Sequence, residues 1–231
     1  PEQIWSAGKQ ADNEWLSRVI NISADDLGVE ARTCLPEWFY TKLAEQFGQE
    51  RAETFSQAVL SAAPLDLRVN TVKTSVVDLL AALTNMGVQV NPIEGLPEGL
   101  RAVGKPIVGK TEIFQEGYFE VQDAGSQWVS RLVAPRRGDL VVDFCAGAGG
   151  KTLAIAAQMN NKGALFATDL HAYKLDELKR RAKRADIFNV RVFTWEGIEP
   201  LRLPKEAAQQ QGFDWVLIDL EHGAGTEKEA L

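Results

Sequence analysis

The chain has 231 residues, 45% of them hydrophobic and 25% charged, and a formal net charge of −7. That is enough apolar material for a sizeable core, and it excludes a disordered acidic tail, a collagen-like repeat and a small disulfide scaffold. No apolar run approaches the roughly 20 residues of a membrane helix, and two Cys without a CxxC spacing plus two His argue against a metal site and for a reducing, cytoplasmic setting.

The chain starts at Pro1 without a leader of basic then apolar residues. Both ends are expected to be cuts. Residues 1–63 read as a helical segment. Pro36 opens a helix at the position where its missing N–H costs nothing. Phe39, Leu43 and Phe47 repeat at helical spacing, and Gly48 stops the run. A second helix runs over 50–62 and ends before Pro64.

Residues 64–122 change character. Leu65 to Asn70 alternates apolar and polar as a strand does. Thr74 or Ser75 caps a helix carrying Val77, Leu80 and Leu83. Gly87 ends it, and Val88–Val90 is expected as a second strand. The Gly- and Pro-rich stretch 91–120 reads as hairpins and loops, with Glu112–Phe114 and Tyr118–Val121 as short strands.

Residues 123–231 alternate strands with helices, the pattern of a doubly wound parallel sheet. A helix is predicted over 125–132, then a strand over 140–144 that is apolar except for Asp143, as suits a strand covered on both faces. A helix ends near Met159. Strands follow over 164–169, 190–193 and 213–219, with an amphipathic helix over 173–185.

Charge is unevenly spread. Residues 1–60 carry 5 basic and 10 acidic side chains, whereas 174–191 carry seven basic against three acidic. The stripe from Lys174 to Arg191, with Arg131, Arg136 and Arg137, supplies candidate phosphate contacts; a solvated helix face is the alternative for each.

The chemistry centres on Cys145, Ala146, Gly147, Ala148, Gly149, Gly150, Lys151 and Thr152, directly after the first parallel strand and opening a helix. Small residues let the backbone approach a ligand, and a helix start presents unpaired N–H groups. The next strand ends in Asp169, about 20 residues on, where a carboxylate can accept from ribose hydroxyls. A P-loop would need Gly in place of Cys145, and a dinucleotide loop would need Gly in place of Thr152. S-adenosylmethionine (AdoMet) is the remaining fit. An NTPase, with the 215–219 run as its acidic strand, is the runner-up.

These residues resemble a family. Val141–Thr152 is similar to the first AdoMet motif of the Sun/RsmB (Fmu) family of RNA cytosine-5 methyltransferases. Leu67–Thr71 is similar to its Arg-Val-Asn motif, Val121–Asp123 with Ser126 to its Gln-Asp segment, and Leu35–Trp38 to its Pro-x-Trp helix. The resemblance covers roughly residues 31–219. It implies an RRM-like module over 64–122 and a Rossmann-like, incomplete AdoMet-binding domain over 123–231, acting on RNA, with ribosomal RNA the expected target. It implies that 145–152 hold the methionine part of AdoMet, Asp169 the ribose, and Glu196 the adenine side. Asp219 is expected beside the methyl group, with Lys151 near the reacting groups, and both are carried over as catalytic. Arg68 and Asn70 are expected on the RNA side, with strand-end hydrogen bonding as the alternative.

The family's thiolate adds to carbon 6 of cytosine so that carbon 5 can take the methyl group. Its cysteines lie in Asp-Ala-Pro-Cys and Thr-Cys-Ser motifs. Here Asp219 is followed by Leu220-Glu221-His222, and the chain stops before the second motif. Cys145 is expected to be a packed loop thiol and Cys34 a structural one. The chain is therefore expected to bind AdoMet but turn over poorly; a non-catalytic AdoMet- or RNA-binding module is the alternative. The fourth strand would expose an apolar edge that the tail, further residues or a second chain must cover.

Overall fold

The computed structural model describes residues 10–23, 27–195 and 215–217. The chain divides into two compact units, 1–63 and 64–231. The division expected at 122/123 falls inside the second unit. None of the described helices is long and apolar enough to cross a membrane.

The first unit holds α1 (Gln10–Ile20), α2 (Val29–Thr33), α3 (Glu37–Phe47) and α4 (Gln49–Leu60). Leu35, Tyr40 and Ala52 are buried, with Phe39 and Leu43 packed against them. The Tyr40 hydroxyl donates to Glu53 Oε2 at 2.8 Å, a bond that raises the phenol above its ordinary range.

The second unit begins with β1 (Asp66–Val69), α5 (Val76–Asn85), β2 (Val90–Ile93) and β3 (Leu96–Ala102). It continues through α6 (Glu112–Gln115) to β4 (Phe119–Val121). The four strands are antiparallel in the order β2-β3-β1-β4, the split βαβ arrangement of a ferredoxin-like fold. Ser75 caps α5 by accepting from the Asp78 N–H. Two expected strands move. Glu112–Phe114 is helical because Thr111 caps it, accepting from the Phe114 N–H. The strand expected at 88–90 runs over 90–93 instead, pairing with Leu96–Ala102 across the turn at Gly95.

This sheet has two unlike faces. Leu67, Val69, Leu100 and Phe119 form a core with Leu79 and Leu83 of α5. On the opposite face stand Asp66, Arg68, Asn70 and Glu120, all buried although polar. That face is covered by the elements that follow.

Those elements are α7 (Ala124–Leu132), β5 (Leu140–Asp143), α8 (Gly150–Gln158), β6 (Ala164–Asp169), α9 (Ala172–Arg184), β7 (Val190–Thr194) and β8 (Trp215–Leu217). The strands are parallel in the order β7-β6-β5-β8. One core joins Val141, Leu153, Ile155, Leu165, Leu175 and Leu178. The order reverses direction after β7, placing a switch point between β5 and β8.

Polar contacts close the seam between the two sheets' modules. Asn70 Nδ2 donates to Gly117 O and to Ala185 O, both at 2.8 Å. Lys73 Nζ lies 3.0 Å from Asp186 Oδ2. Gly117 has φ +77, and a Cβ there would lie 2.2 Å from Arg184 O, so only glycine permits this approach. Asn70→Ala strands two buried carbonyls, and the cost is expected to be about 2–4 kcal/mol. Chemical denaturation of the variant checks this; a change under ~1 kcal/mol would refute it.

Candidate active site

The glycine loop joins the end of β5 to the start of α8. Ala146 N donates to Thr168 O at 2.8 Å, and Gly149 N to Ala146 O at 2.9 Å, so the loop is tied to the end of β6. Gly147 and Gly149 have φ of +55 and +87, a region that favours glycine. They serve different ends. A Cβ at Gly147 would meet open space, whereas one at Gly149 would lie 2.5 Å from Leu178 Cγ. Gly149 thus lets α9 pack close to the loop. Behind the loop, Thr152 Oγ1 donates to buried Asp143 Oδ2 at 2.6 Å.

Asp169 is the acid at the end of β6. Its Oδ2 accepts from Gly147 N at 2.9 Å and its Oδ1 from His171 N at 2.8 Å. One carboxylate therefore shapes both the glycine loop and the turn into α9. A carboxylate has about four acceptor positions, so capacity remains for ligand hydroxyls. Trp195 N donates to Asp169 O at 3.2 Å, and its ring lies 4.7 Å from that of Phe144, giving the same end of the sheet an aromatic border.

Lys151 lies in the first turn of α8 and is 7% exposed. Cys145 is half-buried in the loop, and Cys34 is exposed in the first unit. Glu196 and Asp219 lie outside the described residues, as does His222. Loop residues 145–152 and Asp169 are brought together, whereas Arg68 and Asn70 stand on the buried seam face, 6% and 2% exposed. Arg68 Nε donates to Gln122 Oε1 at 2.6 Å, and Asn70 Nδ2 makes the two carbonyl bonds given above.

The basic stripe is not one face. Arg181 Nη2 lies 2.9 Å from Glu120 Oε2, and Arg184 Nη2 lies 2.6 Å from Glu120 Oε1. Glu120 is 3% exposed on β4. Arg181 Nη1 also donates to Ala148 O at 2.8 Å. A chain of contacts thus runs from the ferredoxin-like sheet through Arg181 to the glycine loop. Sequence reasoning missed it; an acid in the run Tyr118–Val121, facing a basic helix downstream, was its only trace. Lys179 and Arg180 pair within α9 with Asp176 and Glu177, and Arg131 lies 3.3 Å from Glu98. Among the described residues, no group of three or more His, Cys, Asp or Glu is placed to hold a metal ion.

A parallel sheet with a glycine loop and an acid at adjacent strand ends, fused to a ferredoxin-like module, defines a Rossmann-like methyltransferase architecture. The family models specify it. A ferredoxin-like domain of RsmF/B-like methyltransferases matches residues 35–107, and the 16S rRNA methyltransferase RsmB/F model matches residues 130–226. The chain belongs to this RsmB/F family.

A Synechocystis protein described as a probable ribosomal RNA small subunit methyltransferase B is 32% identical over 193 residues, 83% of this chain and 42% of its own length. A mouse 28S rRNA (cytosine-C(5))-methyltransferase is 30% identical over 79% of this chain and 23% of its own. A solved methyltransferase homolog from Pyrococcus horikoshii superposes with a TM-score of 0.68 at 30% identity, over 74% of this chain and 56% of that one. The chain thus spans about two-fifths of the length of its Synechocystis relative.

Proposed function

We propose that this chain is the AdoMet-binding part of an RNA cytosine-5 methyltransferase that modifies ribosomal RNA in the cytoplasm. The observation that carries the reading is the junction of the α8 N-terminus, the open side of Gly147 and the Asp169 carboxylate at adjacent strand ends. Family membership and the names of its relatives support the substrate class.

When bound, AdoMet supplies a methyl group on a sulfonium, an electrophile that needs no metal. The first-turn N–H groups of α8, with the positive end of its dipole, suit the methionine carboxylate. Asp169, already oriented by Gly147 and His171 N–H groups, accepts from the ribose hydroxyls. Lys151 adds a cation in that first turn. Glu196 is assigned to the adenine side and Asp219 to the methyl group and target base. The module boundaries in this reading remain 1–63, 64–122 and 123–231.

The nucleophilic thiolate is not assigned to Cys34, which is exposed in the first unit, or to Cys145, which lies in the cofactor loop. Arg68 and Asn70 are assigned to the RNA side, as the resemblance of Leu67–Thr71 to the family's Arg-Val-Asn motif implies.

Calorimetry distinguishes this function from the NTPase alternative. The chain is expected to bind one AdoMet without added metal and to show no Mg-dependent heat with ATP. Binding of Mg-ATP with no response to AdoMet would overturn the assignment, provided circular dichroism shows a folded chain.

A further inference from the structure

The seam between the ferredoxin-like sheet and helices α7 and α8 carries an open cavity of about 470 Å³, within the range of small-ligand sites. Arg68 on β1 stands opposite Gly99 on β3, and residues directly opposite share a face. A Cβ at 99 would lie 2.9 Å from Leu96 Cβ and 3.2 Å from Gln127 Oε1, so close packing requires glycine there and no side chain at 99 stands beside Arg68.

Arg68 is 6% exposed and lines this cavity. Its Nε is taken by Gln122. Its two terminal nitrogens donate to no described residue. The acid opposite it, Glu120, is held by Arg181 and Arg184. Burial pulls the Arg68 guanidinium down to about 10, with Glu120 acting the other way, so it stays cationic at neutral pH. Arg131 and Arg137 also line the cavity, and Glu98 is the one carboxylate among its lining residues.

Arg131 is paired with Glu98 at 3.3 Å, which leaves Arg68 and Arg137 as the lining cations without a carboxylate among the lining residues, and the deeper of them has two donors to spare. Guanidinium forks suit the tetrahedral oxygens of phosphate. We propose that this cavity binds a phosphate group, carried either by a free anion of up to mononucleotide size or by the RNA backbone. The site is separate from the cofactor loop: its α8 residues, Ala154, Ala157 and Gln158, lie toward the opposite end of that helix.

The test titrates the full chain with inorganic pyrophosphate, and separately with a single-stranded RNA oligonucleotide, each beside an AdoMet titration. Arg137 is exposed, so Arg137→Gln keeps the fold; Arg68→Gln probes the buried donor. A phosphate site predicts that Arg137→Gln weakens pyrophosphate about tenfold, the scale of a lost charged hydrogen bond, with AdoMet binding unchanged. If only RNA binds, and the variant weakens it with a salt slope shallower by about one, the phosphate is the RNA's. If both variants fold and neither titrant is weakened, Arg68 is merely hydrated and the proposal fails. Should Arg68→Gln unfold, Arg137→Gln decides alone. Loss of AdoMet binding in the parent chain would instead count against the cofactor assignment.

Discussion

Alanine at Glu120 is expected to destabilise the second unit by about 3–5 kcal/mol, the range for removing one partner of a buried ion pair. Glu120 holds two guanidinium groups at once, Arg181 at 2.9 Å and Arg184 at 2.6 Å, from a position 3% exposed. Those arginines keep side-chain exposures of 16% and 21%, so partial hydration places the cost toward the lower end. Glu120→Gln keeps the volume but loses the charge, and a smaller loss is expected. The effect should also reach the cofactor loop, because Arg181 bonds Ala148 O. A free Arg181 holds that carbonyl less firmly, and AdoMet affinity should fall severalfold in Glu120→Gln even where the protein is folded. Urea denaturation reads the first effect and calorimetry the second. A stability change under ~1 kcal/mol in Glu120→Ala would show that the ion triad does not hold the seam.

Alanine at Asp169 is expected to remove AdoMet binding almost entirely, by a factor of about 100 or more. Each charge-assisted hydrogen bond lost is worth about 1.5–3 kcal/mol, and this carboxylate has two roles. It fixes the Gly147 and His171 N–H groups, and in the proposed complex it accepts from the ribose. Asp169→Asn retains one carbonyl acceptor and should bind weakly rather than not at all. Calorimetry on both variants, with circular dichroism as the folding control, checks the order wild type, Asn, Ala. Equal affinity of wild type and Asp169→Ala would remove Asp169 from the site.

Much of the architecture was legible in the residues. The apolar run 140–142, the strand 164–169 and the amphipathic helix near 173–185 announce themselves by periodicity. The glycine loop was legible as a ligand loop only in combination: such turns are common between strand and helix, and it was the acids Asp169 and Asp219 expected at the following strand ends that narrowed the reading. Short elements were less so. Glu112–Phe114 has strand-like side chains, but a capping hydroxyl at Thr111 and the turn before Gly117 make it helical. Four residues carry too little pattern to overrule such local hydrogen bonds.

Arg68, Asn70, Glu120, Arg181 and Arg184 were visible as charged or polar positions, and nothing in their spacing paired them. Each is separated by tens of residues from a partner it bonds, Glu120 from Arg184 by 64. What the sequence determined by itself is therefore local: which segments are strands and helices, where the glycine loop falls and which acid follows it. Only the tertiary structure decided which face of the ferredoxin-like sheet is covered, and so which charges are spent on each other. The reason is physical. Periodicity reports that a face is polar, but whether that face meets water, RNA or another part of the chain depends on which distant element packs against it.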